Sequence, residues 1–247
     1  MRHISAVIHG HSGSGKSRLV DTAPGPRLTL DAEGGASWSN SPKVYWDPTQ
    51  PLPTQHDDGS PITTNTTVVV LMQRFETGRL VLNWLQSGQH YFESVNLDSL
   101  TEIQKRCKDA IRGVDDAMTE RLWGTLLDKM ERLIRDYRDL THNHIKPVNV
   151  FITALTIDKN NRQIPDVQGA LSRQLTSYVD VTGHLFAQAT EVDPGARHLA
   201  IQPVIIPPSA SQVDAKDRTD LLTQRFGAII PSPNLTDLLA VLNEGAA

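Results

Sequence analysis

At 247 residues, with 38% hydrophobic and 21% charged side chains, the chain has the length and apolar content of one α/β domain with a normal buried core. Its formal net charge of -4 excludes the strongly basic composition that by itself marks a nucleic-acid binder, although a mildly acidic chain can still carry a basic groove. Cys107 is the only cysteine, which excludes an intrachain disulfide and a cysteine-based zinc site and favours a cytoplasmic location. The first residues show no signal-peptide pattern, no apolar run reaches the length of a membrane helix, and no solenoid-type repeat is present.

In chain order, residues 3–9 read as a short buried strand, followed by a glycine-rich turn and a helix from about Lys16 to Thr22. Arg27–Asp31 reads as a second strand, broken by Gly34-Gly35. Residues 47–66, rich in Pro, Thr, Asp and Gly, read as a long loop or small insertion. Thr67–Met72 is β-branched and apolar, as a strand requires. Thr77–Leu85 predicts a helix with Leu80, Val81, Trp84 and Leu85 on one side, and Glu93–Leu97 a buried strand.

The clearest periodicity lies at 119–140, where Leu122, Leu126, Met130, Leu133, Tyr137 and Leu140 recur every three or four residues, widened by Trp123, Leu127 and Ile134. Val148–Ile152, His184–Ala189 and His198–Ile206 read as strands, and Asn234 opens a short final helix with Gly245 beyond its end. Strands alternating with helices predict a mostly parallel sheet covered on both faces, with antiparallel strands toward the C-terminus, in one domain spanning 1–247.

Gly10-His11-Ser12-Gly13-Ser14-Gly15-Lys16-Ser17 matches the phosphate-loop pattern G-x-x-x-x-G-K-[ST] in full. By chance such a match arises in about one in a hundred chains of this length. Here it also stands between a strand and a helix, where the chemistry needs it. Glycines let successive backbone N–H groups face inward, and the following helix aims its positive end at the anion. Lys16 then reaches the β- and γ-phosphates, the Ser17 hydroxyl ligates Mg²⁺, and Arg18 completes the nucleotide-binding run.

Asp98 closes the apolar segment Val95-Asn96-Leu97 and suits a metal anchor acting through water. Ser99-Leu100-Thr101-Glu102 also fits a capping box, so a helix start is the competing role for this acid. Glu33 follows the second strand, where a carboxylate faces the ligand crevice and can polarise an attacking water; Asp31 is its local competitor. His142 and His144 lack an evident third metal ligand. Trp38 and Trp46 are candidates for base stacking against a default of packing.

With these residues in place, the chain resembles RecA-like P-loop ATPases, and within them phage AAA-type ATPases related to Sak single-strand annealing proteins. The resemblance rests on Ile8–Ser17, on Leu30-Asp31-Ala32-Glu33 and on Asn96-Leu97-Asp98-Ser99-Leu100-Thr101, and it covers most of the chain. It implies a RecA-like fold, ATP and Mg²⁺ as cofactors, Glu33 as catalytic base and Asp98 as the Walker B aspartate. Val150–Ala154 sits where the family has a strand ending in a polar sensor. Thr153 is polar but Ala154 and Leu155 are not, so Thr153 alone is left for that role.

Thr156–Gly169 lies where the family has a mobile DNA-binding loop, with Lys159 and Arg162 as candidate phosphate contacts against an ordinary polar turn. Lys105, Arg106, Lys108 and Arg112 suggest a second basic loop, although Asp109, Asp115 and Asp116 beside them favour a solvated charged face. Lys216 and Arg218 resemble a K-x-R element that reaches a neighbouring subunit's γ-phosphate, within a C-terminal interface segment, 207–247.

The implied function is an ATP-dependent single-stranded-DNA-binding protein of phage-type recombination or annealing. It implies a homo-oligomer as ring or filament, a possible single-strand-binding protein partner and the host cytoplasm as location. A P-loop small-molecule kinase using Arg162, Arg173 and Arg197 as a lid is the first alternative. A nucleotide-dependent loader with weak turnover is the second.

Overall fold

A computed structural model describes residues 2–113, 117–188, 193 and 195–244. Asp115, Asp116 and Gly245 lie outside these residues. The strands are β1 (Ser5–His9), β2 (Arg27–Asp31), β3 (Lys43–Tyr45), β4 (Thr67–Leu71), β5 (Ser94–Asp98), β6 (Asn149–Ala154), β7 (Thr156–Lys159), β8 (Arg162–Pro165), β9 (Val181–Ala187), β10 (Arg197–Ala200), β11 (Gln212–Val213), β12 (Lys216–Asp217) and β13 (Ile229–Pro231). The helices are α1 (Lys16–Val20), α2 (Phe75–Ser87), α3 (Leu100–Arg112), α4 (Glu120–Asp139), α5 (Leu171–Tyr178), α6 (Leu221–Phe226) and α7 (Leu235–Glu244).

The main sheet runs β13-β10-β9-β1-β6-β5-β2-β4-β3, with β12 also on β9. From β9 to β3 every pairing is parallel, while β10, β12 and β13 pair antiparallel. This is an α/β P-loop NTPase fold. Parallel strands covered on both faces need near-continuous apolar runs, and Val68-Val69-Val70 and Val150-Phe151-Ile152 supply them, all buried. One face packs on α2, α3, α4 and α5 through Val7, Leu97, Ile152, Leu133 and Tyr137. The other packs on α1, α6 and α7 through Ile8, Phe151, Leu185 and Leu238.

Strand β6 lies between β1 and β5. The C-terminal ends of those three strands therefore bring the phosphate loop, Thr153 and Asp98 side by side.

Several expectations need correction. The strand expected at His198–Ile206 ends at Ala200, because Pro203, Pro207 and Pro208 lack the N–H a ladder needs. The strand expected from His184 starts at Val181; Thr182 and Gly183 hide its beginning. A Cβ on Gly183 would lie 2.6 Å from Leu199 Cδ1, so a larger residue there would displace that side chain. Ala189 lies outside the described residues.

Trp123 and Leu80 leave the apolar stripes assigned to them and are exposed. Trp123 instead carries Lys108 Nζ 5.3 Å from its ring centroid. Trp46 is buried edge-on to Trp84, with its indole N–H on Gln50 O, so it cannot stack a base. Residues 47–66 contain no strand or helix, only a bridge between Gln55 and Pro61.

The segment expected as a mobile loop, Thr156–Gly169, is largely a β-ribbon. Strands β7 and β8 form a hairpin whose two turn residues, Asn160 and Asn161, have φ of 52° and 57°, the backbone of a two-residue primed turn. Strand β11 joins its other side. Asp158, Lys159 and Arg162 are exposed, so the ribbon lacks the apolar alternation that reveals a strand.

Candidate nucleotide-binding site

The phosphate loop leaves β1 between two neighbours. A Cβ on Gly10 would lie 2.3 Å from Leu185 O, so only glycine fits. Gly13 and Gly15 have φ of 77° and 98°, the left-handed region that other residues avoid. Lys16 is buried, and its ammonium donates to Gly10 O at 2.8 Å and His11 O at 3.0 Å. Burial lowers its pKa, opposed by the charges of Asp98 and Glu33. Ser12, Gly13, Gly15, Lys16, Ser17 and Arg18 line a cleft of about 360 Å³ that Glu33 and Asp98 also face.

Asp98 acts as a partner of the loop and not as a helix cap. Its carboxylate accepts from the Ser17 hydroxyl at 2.8 Å and from the Thr153 hydroxyl at 2.5 Å. Burial pushes its pKa up, while these two bonds pull it down. A hydroxyl and a carboxylate at the foot of a phosphate cleft are the hard oxygen donors that suit Mg²⁺. Gly35 keeps this place open, since a Cβ there would meet Ser17 Oγ at 3.3 Å and Asp98 Oδ2 at 3.4 Å. Thr153 sits between loop and aspartate as the sheet order dictates, and its hydroxyl orients Asp98.

The two candidate bases separate cleanly. Both carboxylate oxygens of Asp31 accept backbone N–H groups, from Glu33, Gly34 and Gly35 on one and from Ala36 on the other. Asp31 therefore builds the turn. Glu33 is exposed at the cleft and accepts a short hydrogen bond from the Ser99 hydroxyl. Ser99 stands at the start of α3, but its side chain makes no capping bond to the helix; the expected capping box is replaced by this contact. Arg106, from α3, donates to Ala32 O at 2.6 Å and Gln73 O at 3.0 Å, clamping the turn that bears Glu33.

Lys105, Arg106, Lys108 and Arg112 form a charged face of α3, the reading favoured over a second basic loop, with Lys105 and Arg106 on Glu102 and Arg112 on Asp109. Sequence reasoning missed the positioning roles of Ser99 and Arg106, because no local pattern connects α3 to the turn after β2.

His9, the residue before the loop, is fully buried. One ring nitrogen lies 2.7 Å from Asp214 O and the other 2.9 Å from Thr156 Oγ1. A carbonyl only accepts, so Nε2 carries the proton and Nδ1 accepts from Thr156. Desolvation, with His184 beside it, lowers the His9 pKa to about 3, and burial lowers that of His184 to about 4. Thr156 opens β7 and Asp214 follows β11, so His9 ties the phosphate loop to the ribbon. Arg162 pairs with the Asp214 carboxylate at 2.6 Å, while Lys159 is exposed near the ribbon's tip. A lone histidine ending an apolar strand was the visible sign.

Lys216 and Arg218 are exposed on either side of buried Asp217. Lys216 is opposite Thr182 and Asp217 opposite Val181 on β9, whereas His184 is level with His9. The pair thus lies two strands from β1 and roughly 10 Å toward the opposite end of the sheet. Arg218 donates to Ser177 O at 2.7 Å. Arg197, noted in the sequence only as a lid candidate, instead lines the cleft with its Nε over Gly15.

His142 ends the short turn Leu140–His142 that follows α4, with its Nδ1 2.7 Å from Thr141 Oγ1. Among the described residues, no helix is long and apolar enough to cross a membrane.

A protein-family model described as an AAA domain matches residues 2–219. No curated protein sequence matches the chain.

Proposed function

The chain belongs to the AAA domain family of nucleotide-hydrolysing P-loop ATPases, and on that premise we propose that it hydrolyses ATP at a subunit interface under the control of bound single-stranded DNA. Lys16 and the loop N–H groups hold the triphosphate. Ser17 and Asp98 would hold Mg²⁺, which neutralises developing phosphate charge when bound. Glu33, oriented by Ser99, takes the proton of the attacking water.

The observation that carries the DNA reading is the His9 tie. The ribbon bearing Lys159 and Arg162 is hydrogen-bonded to the residue that precedes Gly10. A shift of the ribbon on a phosphate backbone is felt at the nucleotide, and the reverse. Lys216 and Arg218 are exposed and lie toward the other end of the sheet from the chain's own cleft, which favours action on a neighbour in a homo-oligomer, ring or filament. A role in phage-type recombination or annealing, alongside a single-strand-binding protein in the host cytoplasm, accords with this coupling. The arginines of the kinase alternative sit on three separate elements, β8, α5 and β10, and of the three Arg197 lines the cleft.

The test is turnover with and without single-stranded oligonucleotide, plus a gel shift of labelled oligonucleotide at low salt. Stimulation with a shift is the expected result. Turnover indifferent to DNA, with no shift, would refute the DNA reading.

A further inference from the structure

Helix α3 carries two sets of polar side chains that bind different parts of the molecule. Ser99, at its start, and Arg106 reach the turn after β2, one on the Glu33 carboxylate and one on Ala32 O. Thr101 and Gln104, three residues apart and so neighbours on the helix surface, reach the two feet of the ribbon. Thr101 Oγ1 accepts from Leu155 N at 3.0 Å. Gln104 Oε1 accepts from Gln168 N at 2.6 Å, and its Nε2 donates to Gln168 O at 3.3 Å. Both side chains are buried. Asp166 N donates to Leu155 O at 2.7 Å and closes the ribbon between its feet, and Leu155 itself lines the phosphate cleft.

We propose that Gln104 is a positioning residue for hydrolysis, seconded by Thr101: fastened to the feet of the ribbon, the two set the place of α3, and α3 sets Glu33 against the attacking water. A buried amide is costly unless both of its ends are bonded, and Gln104 spends both on the backbone of one ribbon residue. Such a two-point bond fixes the height and the rotation of the helix against the ribbon. Ile103 N donates to Ser99 O at 3.0 Å, so Ser99 moves with the first turn of the helix. Glu33 is exposed on a turn, and its carboxylate is gripped from α3. A general base works only within hydrogen-bond reach of its proton, and a misplacement of about 1 Å costs on the order of 10²-fold in rate. His9 ties the ribbon to the phosphate loop, and α3 ties it to the base. A fault in the second tie is therefore one of rate, with the phosphate loop intact.

The inference rests on Glu33 as the base, so Glu33→Gln is measured beside it. ATP affinity and single-turnover hydrolysis are determined on the full chain with Mg²⁺ for wild type, for Glu33→Gln, and for Gln104→Leu and Thr101→Val, each alone and in the Glu33→Gln background. Gln104→Leu is expected to lower the hydrolysis rate at least about tenfold with ATP affinity within about twofold of wild type, and Thr101→Val to shift the rate in the same direction. In the Glu33→Gln background neither change should slow hydrolysis further, because the group it positions has lost its basicity. An unchanged rate in Gln104→Leu, affinity lost in place of rate, or effects that multiply with that of Glu33→Gln would overturn the inference. Where Gln104→Leu does not fold, Thr101→Val decides by the same criteria. An unchanged rate in Glu33→Gln refutes the base reading and this inference with it; a rate lost there but kept in Gln104→Leu refutes the inference alone.

Discussion

Asp31 and Glu33 are two carboxylates two residues apart with different chemistry, because four backbone N–H groups saturate one and leave the other facing the cleft. Glu33→Gln should keep ATP affinity and lower kcat by about 10²–10⁴; single-turnover hydrolysis and a binding titration check this, and unaltered kcat would move the base elsewhere. A different residue-scale effect comes from His9 and His184. Their folded pKa values, about 3 and about 4, lie below the ordinary 6.5. As pH falls through 6.5 the unfolded chain takes up protons that the native chain refuses. Stability is therefore expected to drop between pH 6.5 and about 4, by about 1.4 kcal/mol per pH unit for each proton. Urea midpoints across that range measure it, and His9→Asn should flatten the slope by one proton.

At the scale of elements, the ribbon and α4 make opposite demands on sequence. Helix α4 buries Leu126, Met130, Leu133, Ile134 and Tyr137, a periodic stripe that announces itself. Leu133→Ala should cost about 2–5 kcal/mol in urea unfolding without altering ATP affinity, since the residue is remote from the cleft. The ribbon is held by turn geometry and by contacts to His9 and Asp214, so its sequence looked like a polar loop. Thr156→Val removes the hydroxyl that donates to His9. Stimulation of turnover by single-stranded DNA should then fall at least about fivefold, with turnover in its absence little changed. Full stimulation in this variant would show that the signal takes another route.

At the scale of the whole molecule, the cleft and the Lys216–Arg218 pair lie on opposite parts of one sheet. A contact joining them between copies is head-to-tail, and such contacts build rings or filaments. Mixing Glu33→Gln chains with chains carrying Lys216→Ala and Arg218→Ala should therefore restore activity that neither has alone. In an equal mixture, on the order of a quarter of the interfaces pair an intact cleft with an intact finger. No recovery on mixing would place both residues outside the neighbour's site.

Local features are legible in the order of the amino acids. A loop of fixed spacing, its flanking strand and helix, the apolar runs of β4, β5 and β6 and the stripe of α4 each depend on neighbours within a few residues, and the parallel α/β class follows from their alternation. Gly10 to Ser17, Asp98 and Glu33 could be singled out for that reason, and the fold brings residues of all three segments to one cleft. Tertiary structure decided what depends on residues far apart in the chain. It placed β6 between β1 and β5 so that Thr153 holds Asp98, turned Ser99 from a cap into Glu33's partner and brought Arg106 under the same turn. It also set Arg197 over Gly15 and joined His9 to residues 147 and 205 positions away. No period or motif encodes these pairings, because each is fixed by sheet order and packing.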